Sequence, residues 1–154
     1  MAEILDIADA MVTALDGHAF AAPYASLGAA RRYVPVYDLT QLTGLVVSVI
    51  PHGLGLTVPA KVEARNYTRS MNYTLDVEFQ MRVPNLDAAT LDGLMGLVES
   101  VGDFLLQTAG PLTLPSGKLA TPFTMEGETV YDPMELDKEQ LFESVLRIMY
   151  RTWR

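Results

Sequence analysis

The side chains that most often perform acid–base, nucleophilic or metal chemistry are scarce and isolated in this sequence. There is no cysteine, which excludes disulfides, thiolate metal sites and thiol nucleophiles. His18 and His52 lack an HxH or HxxxH neighbour, so we expect structural or surface histidines rather than ligands or bases. Ser48 and Ser116 lie outside any G-x-S-x-G elbow. No catalytic, cofactor-binding or metal-binding residue is therefore predicted, and the sequence indicates a protein that is not an enzyme.

Two glycine-containing motifs match phosphate-binding loops only in part. The Ser-Gly-Lys sequence at 116–118 lacks the upstream glycine of a P-loop and the Ser or Thr that follows its lysine. The Gly-Leu-Gly sequence at 53–55 is half of a dinucleotide-binding fingerprint, without a third glycine or a following helix. We therefore interpret 116–118 as a simple turn and assign no function to 53–55.

The charged residues are unevenly distributed. The 19 acids and 11 bases give a formal net charge of −8, which opposes broad nucleic-acid binding but would suit a passage through which DNA slides without sticking. Residues 123–143 hold seven acids and one base, whereas 147–154 hold three arginines and no acid. The acids do not have EF-hand spacing, so we interpret them as solvated or lumen-facing. Copies packed head to tail could pair the two segments and close into a ring.

A second group of basic residues is interleaved with aromatic ones in the middle of the chain. Such a patch can contact a nucleic-acid backbone, but it is sparse and the chain is acidic. We expect it instead to meet an acidic face of a neighbouring subunit. The predicted subunit interface comprises Lys61, Arg65, Tyr67, Arg69, Glu126, Glu128, Arg147 and Arg151.

Hydrophobic periodicity predicts two amphipathic helices. Residues 3–16 repeat apolar side chains at helical spacing, and Gly17 is a natural stop. Residues 86–108 do the same, with Asp87 as the predicted N-cap.

The strand predictions rest on alternation and on short apolar runs. Twelve strictly alternating residues, 72–83, predict one long strand with a core face and a polar face. Short strands are predicted at 45–51, at Tyr33–Tyr37 and near 121–125. The last segment, 140–153, fits a helical stripe as well as a strand, and its alternating charges favour the strand.

These elements predict a single α+β domain over 1–154. Its sheet should contain about four strands, antiparallel or mixed, backed by two helices, with a long loop at about 53–71. The acidic N-terminus does not fit a signal peptide, and no apolar run approaches the roughly 18 residues of a membrane span. We therefore expect a soluble protein made in the cytoplasm, without a membrane partner.

Several segments together resemble the tail terminators of long-tailed bacteriophages, also described as minor tail or tail completion proteins. They are Ile-Ala-Asp-Ala at 7–10, Arg-Arg-Tyr-Val-Pro at 31–35, Val-Val-Ser-Val-Ile-Pro at 46–51, Tyr-Asp-Pro at 131–133 and Leu-Phe-Glu-Ser-Val-Leu at 141–146. The resemblance spans most of the chain, and its motifs are structural patterns rather than catalytic signatures. It implies that the last segment is a strand.

The resemblance also implies a function. It predicts a virion protein of the tail and neck, made in the host cytoplasm, that forms a homo-oligomeric, hexameric ring. The ring would end polymerisation of the tail tube protein and dock the head connector or stopper protein, while genomic DNA passes through its lumen without specific binding. The alternatives are another neck component, such as a head-completion, stopper or tail-tube protein, or a small module that binds an anionic ligand through the 53–70 loop. An enzyme that uses a pair of carboxylates ranks third.

Overall fold

The computed structural model describes residues 2–36, 38–57, 70–127 and 131–153, and within them the protein is α+β. The strands are β1 (Ala30–Arg31), β2 (Val46–Thr57), β3 (Ser70–Arg82), β4 (Leu112–Thr113), β5 (Leu119–Glu126) and β6 (Leu141–Trp153). The α-helices are α1 (Glu3–Asp16), α2 (Ala88–Asp103) and α3 (Pro133–Glu139).

The strands form one sheet in the order β1-β2-β3-β6-β5-β4. Strand β1 is parallel to β2 and all other neighbouring pairs are antiparallel, so the sheet is mixed. The expected α+β class and single sheet are confirmed, but the described residues form six strands rather than about four and three α-helices rather than two. Strands β1 and β4 have two residues each, too few to produce a recognisable alternation.

The central pair, β3 and β6, positions the rest of the molecule. It is in register from Ser70 opposite Trp153 to Arg82 opposite Leu141. Opposite residues share a face, so one face of the pair packs into the core beside α1 and α2. The buried apolar residues of this core face are Tyr73, Leu75, Val77, Phe79, Phe142, Leu146, Ile148 and Tyr150. Each contributes about 1.5–3 kcal/mol by leaving water, so this pair is a large contributor to the stability of the fold.

The two long helices form where the apolar periodicity predicts them. Helix α1 buries one stripe, Ile7, Ala8, Met11 and Leu15, and ends where the Gly17 N–H donates to the Thr13 carbonyl. The Asp87 carboxylate caps α2 by accepting from the Thr90 N–H at 3.0 Å. Helix α2 continues as a π-helical turn over Phe104–Thr108. None of the described helices is long and apolar enough to cross a membrane.

Two predicted segments differ from the structure. Residues 33–36 are not a strand, because Tyr33 and Val34 are exposed and Pro35 cannot donate a hydrogen bond to a neighbouring strand. The residues that pair with β2 precede them and form β1. Residues 53–57 and 70–71 belong to β2 and β3 rather than to a loop, with a bulge between Pro51 and Gly53 that allows β2 to continue. Residues 58–69 and Tyr37 lie outside the described residues.

The ambiguous last segment is a strand, β6, as its charge alternation favoured. Helix α3, which precedes it, was not predicted. The Asp132 carboxylate caps this helix by accepting from the Met134 N–H at 2.9 Å, and Pro133 occupies its first turn.

Candidate interaction surface

The face of the sheet opposite the core carries polar side chains, and we call it the polar face. Alternation along β3 and β6 places these side chains there, because each lies between two core residues. The face is not freely solvated: of its central members, most are half-buried and three are buried. Its central members are Ser48, Asn72, Thr74, Asp76, Glu78, Gln80, Glu143, Arg147, Met149 and Arg151.

A bidentate ion pair joins the two central strands on this face. Arg147 lies directly opposite Asp76, and its Nε and Nη2 donate to Asp76 Oδ1 and Oδ2 at 2.9 and 3.1 Å. His52 Nδ1 lies 3.4 Å from Asp76 Oδ2. The Asp76 side chain is only 13% exposed, so the pair is better shielded from solvent than an ordinary surface salt bridge.

At the C-terminal end of β6, an arginine lies between two aromatic rings. The Arg151 guanidinium carbon is 4.4 Å from the Phe123 ring centroid and 5.8 Å from the Trp153 ring centroid. Its Nε donates to Asn72 Oδ1 at 2.9 Å. The rings remain accessible, with Phe123 39% and Trp153 55% exposed. We call Phe123, Arg151 and Trp153 the aromatic–arginine platform.

Two carboxyls, one buried and one half-buried, meet toward the other end of the polar face. Glu78 is 4% exposed, and its carboxyl is hydrogen-bonded to that of Glu143. Burial raises the pKa of Glu78 from 4.5 to about 8, with further contributions from the hydrogen bond to Glu143 and from the negative charges of Glu143 and Asp76. At neutral pH the Glu78 carboxyl is therefore protonated, and its O–H can donate the hydrogen bond to Glu143.

The segment that follows β1, residues 32–36, covers this end of the polar face. Gln80 Oε1 accepts from the Val36 N–H at 3.0 Å, and its Nε2 donates to the Val36 carbonyl at 2.8 Å. Arg32 Nη1 donates to Ser48 Oγ at 2.9 Å. These bonds explain why Glu78 and Gln80, predicted to lie on a polar face, are buried.

The structure places three of the eight predicted interface residues on one face. Arg147, Arg151 and Glu126 lie on neighbouring strands, and Glu126 is opposite Arg147. Arg147 is engaged within its own chain by Asp76, so Arg151 is the more available cation. The other five predicted residues, Lys61, Arg65, Tyr67, Arg69 and Glu128, lie outside the described residues.

Sequence reasoning missed the aromatic part of this surface. Phe123 and Trp153 are 30 positions apart and meet Arg151 only because β5 pairs with β6 across a bulge between Pro122 and Thr124. One signal was available: Trp153 and Arg151 are two residues apart in the predicted last strand, so they lie on the same face of the sheet.

The histidines and carboxylates form no metal-binding cluster in the part of the chain that the structure describes. His18 stacks on Phe104, with ring centroids 4.2 Å apart, and contacts Phe20 edge-on. No group of three His, Asp or Glu residues among the described positions could hold a metal ion. An open groove of about 510 Å³ lies between α1 and β4, with Asp6, Asp9 and Thr113 in its lining.

Comparisons with known proteins do not identify a family. No protein-family model matches the chain, and no curated protein matches it. One solved structure, of a protein whose name is only a sequence identifier, aligns with 100% of this chain and 96% of its own, at 11% identity and a TM-score of 0.44. A likeness at this level carries no argument about function.

Proposed function

We propose that the protein is a structural subunit that assembles with copies of itself into a ring. The observation that carries this proposal is the aromatic–arginine platform. Aromatic and arginine side chains are the types most enriched at the energetic centres of protein interfaces. In Phe123, Arg151 and Trp153 they occur together, held in place by a sheet rather than by a loop.

The phage role of the ring is proposed from the sequence resemblance to tail terminators. In that role the ring, a hexamer, caps the head-proximal end of the tail tube, ends its polymerisation and docks the head connector. The net charge of −8 supports a lumen that lets DNA pass without retaining it. The proposed protein is structural and has no catalytic function.

Co-assembly with the tail tube protein tests this role. We would take the candidate tube protein from the genes that neighbour this chain, polymerise it with and without the purified protein, and measure tube lengths by electron microscopy. A terminator shortens the tubes in proportion to its amount and is seen at one end only. Incorporation along the whole tube would support a tail-tube protein instead, and no effect on length would contradict termination.

Reversal of the central basic residues tests their part in assembly. In the double variant Arg65→Glu and Arg69→Glu, we expect ring formation to fail while the unfolding midpoint stays near that of the wild type. Normal rings from this variant would show that these residues are not in the interface.

Binding of short DNA by the wild type, with an affinity that falls steeply as salt is added, would favour the anionic-ligand module.

A further inference from the structure

We propose that the aromatic–arginine platform of one copy receives helix α3 of the next copy, with Met134 against the aromatic rings and Asp137 on Arg151. This inference rests on the proposed ring and names the surfaces that meet in it.

The platform has unused binding capacity. A guanidinium has five N–H donors in a planar fork. In the described part of the chain, Arg151 uses only its Nε, on Asn72, so its terminal nitrogens are available to a planar acceptor such as a carboxylate. The two flanking rings exclude water from one side of that acceptor and offer apolar surface beside it. The matching ligand therefore combines a carboxylate with an adjacent apolar group.

Helix α3 presents this combination. Met134 is 66% exposed, and Asp137, three residues later, is exposed on the neighbouring position of the same helical face. Leu136 is buried and fixes the helix to the body of the protein, so the outward face is rigidly held. Asp137 has no salt-bridge partner among the described residues. A methionine sulfur also contacts aromatic rings favourably, which suits Phe123 and Trp153.

The two surfaces cannot meet within one chain. Helix α3 ends at Glu139, just before β6 begins at Leu141, whereas the platform lies where β6 ends at Trp153. Twelve residue steps along a strand span about 40 Å. Complementary surfaces at opposite ends of one rigid strand favour a head-to-tail contact between copies, which closes into a ring when the rotation allows it.

Charge reversal followed by mixing tests this contact. We expect Arg151→Glu and Asp137→Arg each to raise the concentration at which rings dissociate by about thirtyfold or more. A mixture of the two variants should restore rings with alternating subunits, because each junction then pairs an acid with an arginine. The double variant should also form rings. Glu99→Arg, an equal charge change on the exposed face of α2, should leave rings intact.

The outcomes separate this inference from the ring proposal. If the wild type forms rings and both single variants do so equally well, the α3–platform contact is wrong and the ring proposal stands. If the wild type never forms rings, the ring proposal itself fails. Trp153→Ala provides a second variant, which should fold normally because the indole side chain is more than half exposed. It should weaken assembly into rings without lowering the unfolding midpoint. Loss of single-stranded DNA binding in Arg151→Glu, with ring mass unchanged, would overturn the inference in favour of a nucleic-acid surface.

Discussion

Replacing Glu78 with glutamine should change how the stability of the protein depends on pH. Glu78 is buried, and its pKa in the folded protein is raised from 4.5 to about 8. The folded state therefore binds the proton more tightly than the unfolded state. The stabilising contribution is complete below about pH 4.5, falls as the pH rises toward 8, and is lost above it.

The size of the effect follows from the pKa shift. One pKa unit corresponds to about 1.36 kcal/mol, so a shift from 4.5 to about 8 sets an upper bound of about 5 kcal/mol on the loss. Glutamine preserves the shape of the side chain and can donate its amide to Glu143 without ionising. We expect Glu78→Gln to exceed the wild type in unfolding free energy by roughly 2–5 kcal/mol at about pH 9, and much less at about pH 5.

Urea unfolding at several pH values measures this difference. Glu99→Gln is the matched control, because Glu99 is exposed on α2 and should leave the pH dependence unchanged. In Glu143→Gln most of the wild-type slope should persist, since burial is the largest cause of the raised pKa. If the difference between Glu78→Gln and the wild type is the same at pH 5 and pH 9, the proposed protonation of Glu78 is wrong.

Two further predictions concern packing and the covering of the polar face. Gly96→Ala should stabilise the protein by about 1 kcal/mol, because the added Cβ has no atom within 4 Å. Gly102→Ala should stabilise it less, because the added Cβ would lie 2.8 Å from Met125 Cε. Equal gains in the free energy of urea unfolding would contradict this packing. Gln80→Ala should cost about 1–3 kcal/mol and speed the amide exchange of Val36, because Val36 loses both its bonds to Gln80. Unchanged exchange at Val36 would show that other contacts hold this segment.

The long regular elements could be predicted because each carries its own periodicity. Alternation over 72–83 determines a strand wherever the segment lies in the fold, and the apolar stripe of α1 determines a helix in the same way. Helix α3 was missed because its seven residues, which include one proline and three acids, are too few to show an apolar stripe. The Asp132–Pro133 pair was the signal that could have revealed it.

The surface could be predicted only in part because it depends on contacts between distant segments. The alternation of β3 assigned Glu78 and Gln80 to a polar face, but nothing local indicates that Val36 and its neighbours cover them. Likewise, the charges of Arg147 and Arg151 look equivalent in sequence. The β3–β6 register places Asp76 opposite Arg147 and Asn72 opposite Arg151. Of these two arginines, Arg147 is engaged by a carboxylate, whereas Arg151 bonds only through its Nε within the described residues.

The molar mass of the purified wild-type protein tests the central proposal most directly. Sedimentation velocity at micromolar concentrations should show one large species, six times the mass of the chain, whose proportion falls on dilution. A protein that remains monomeric throughout this range would contradict the account of a subunit built to assemble with copies of itself.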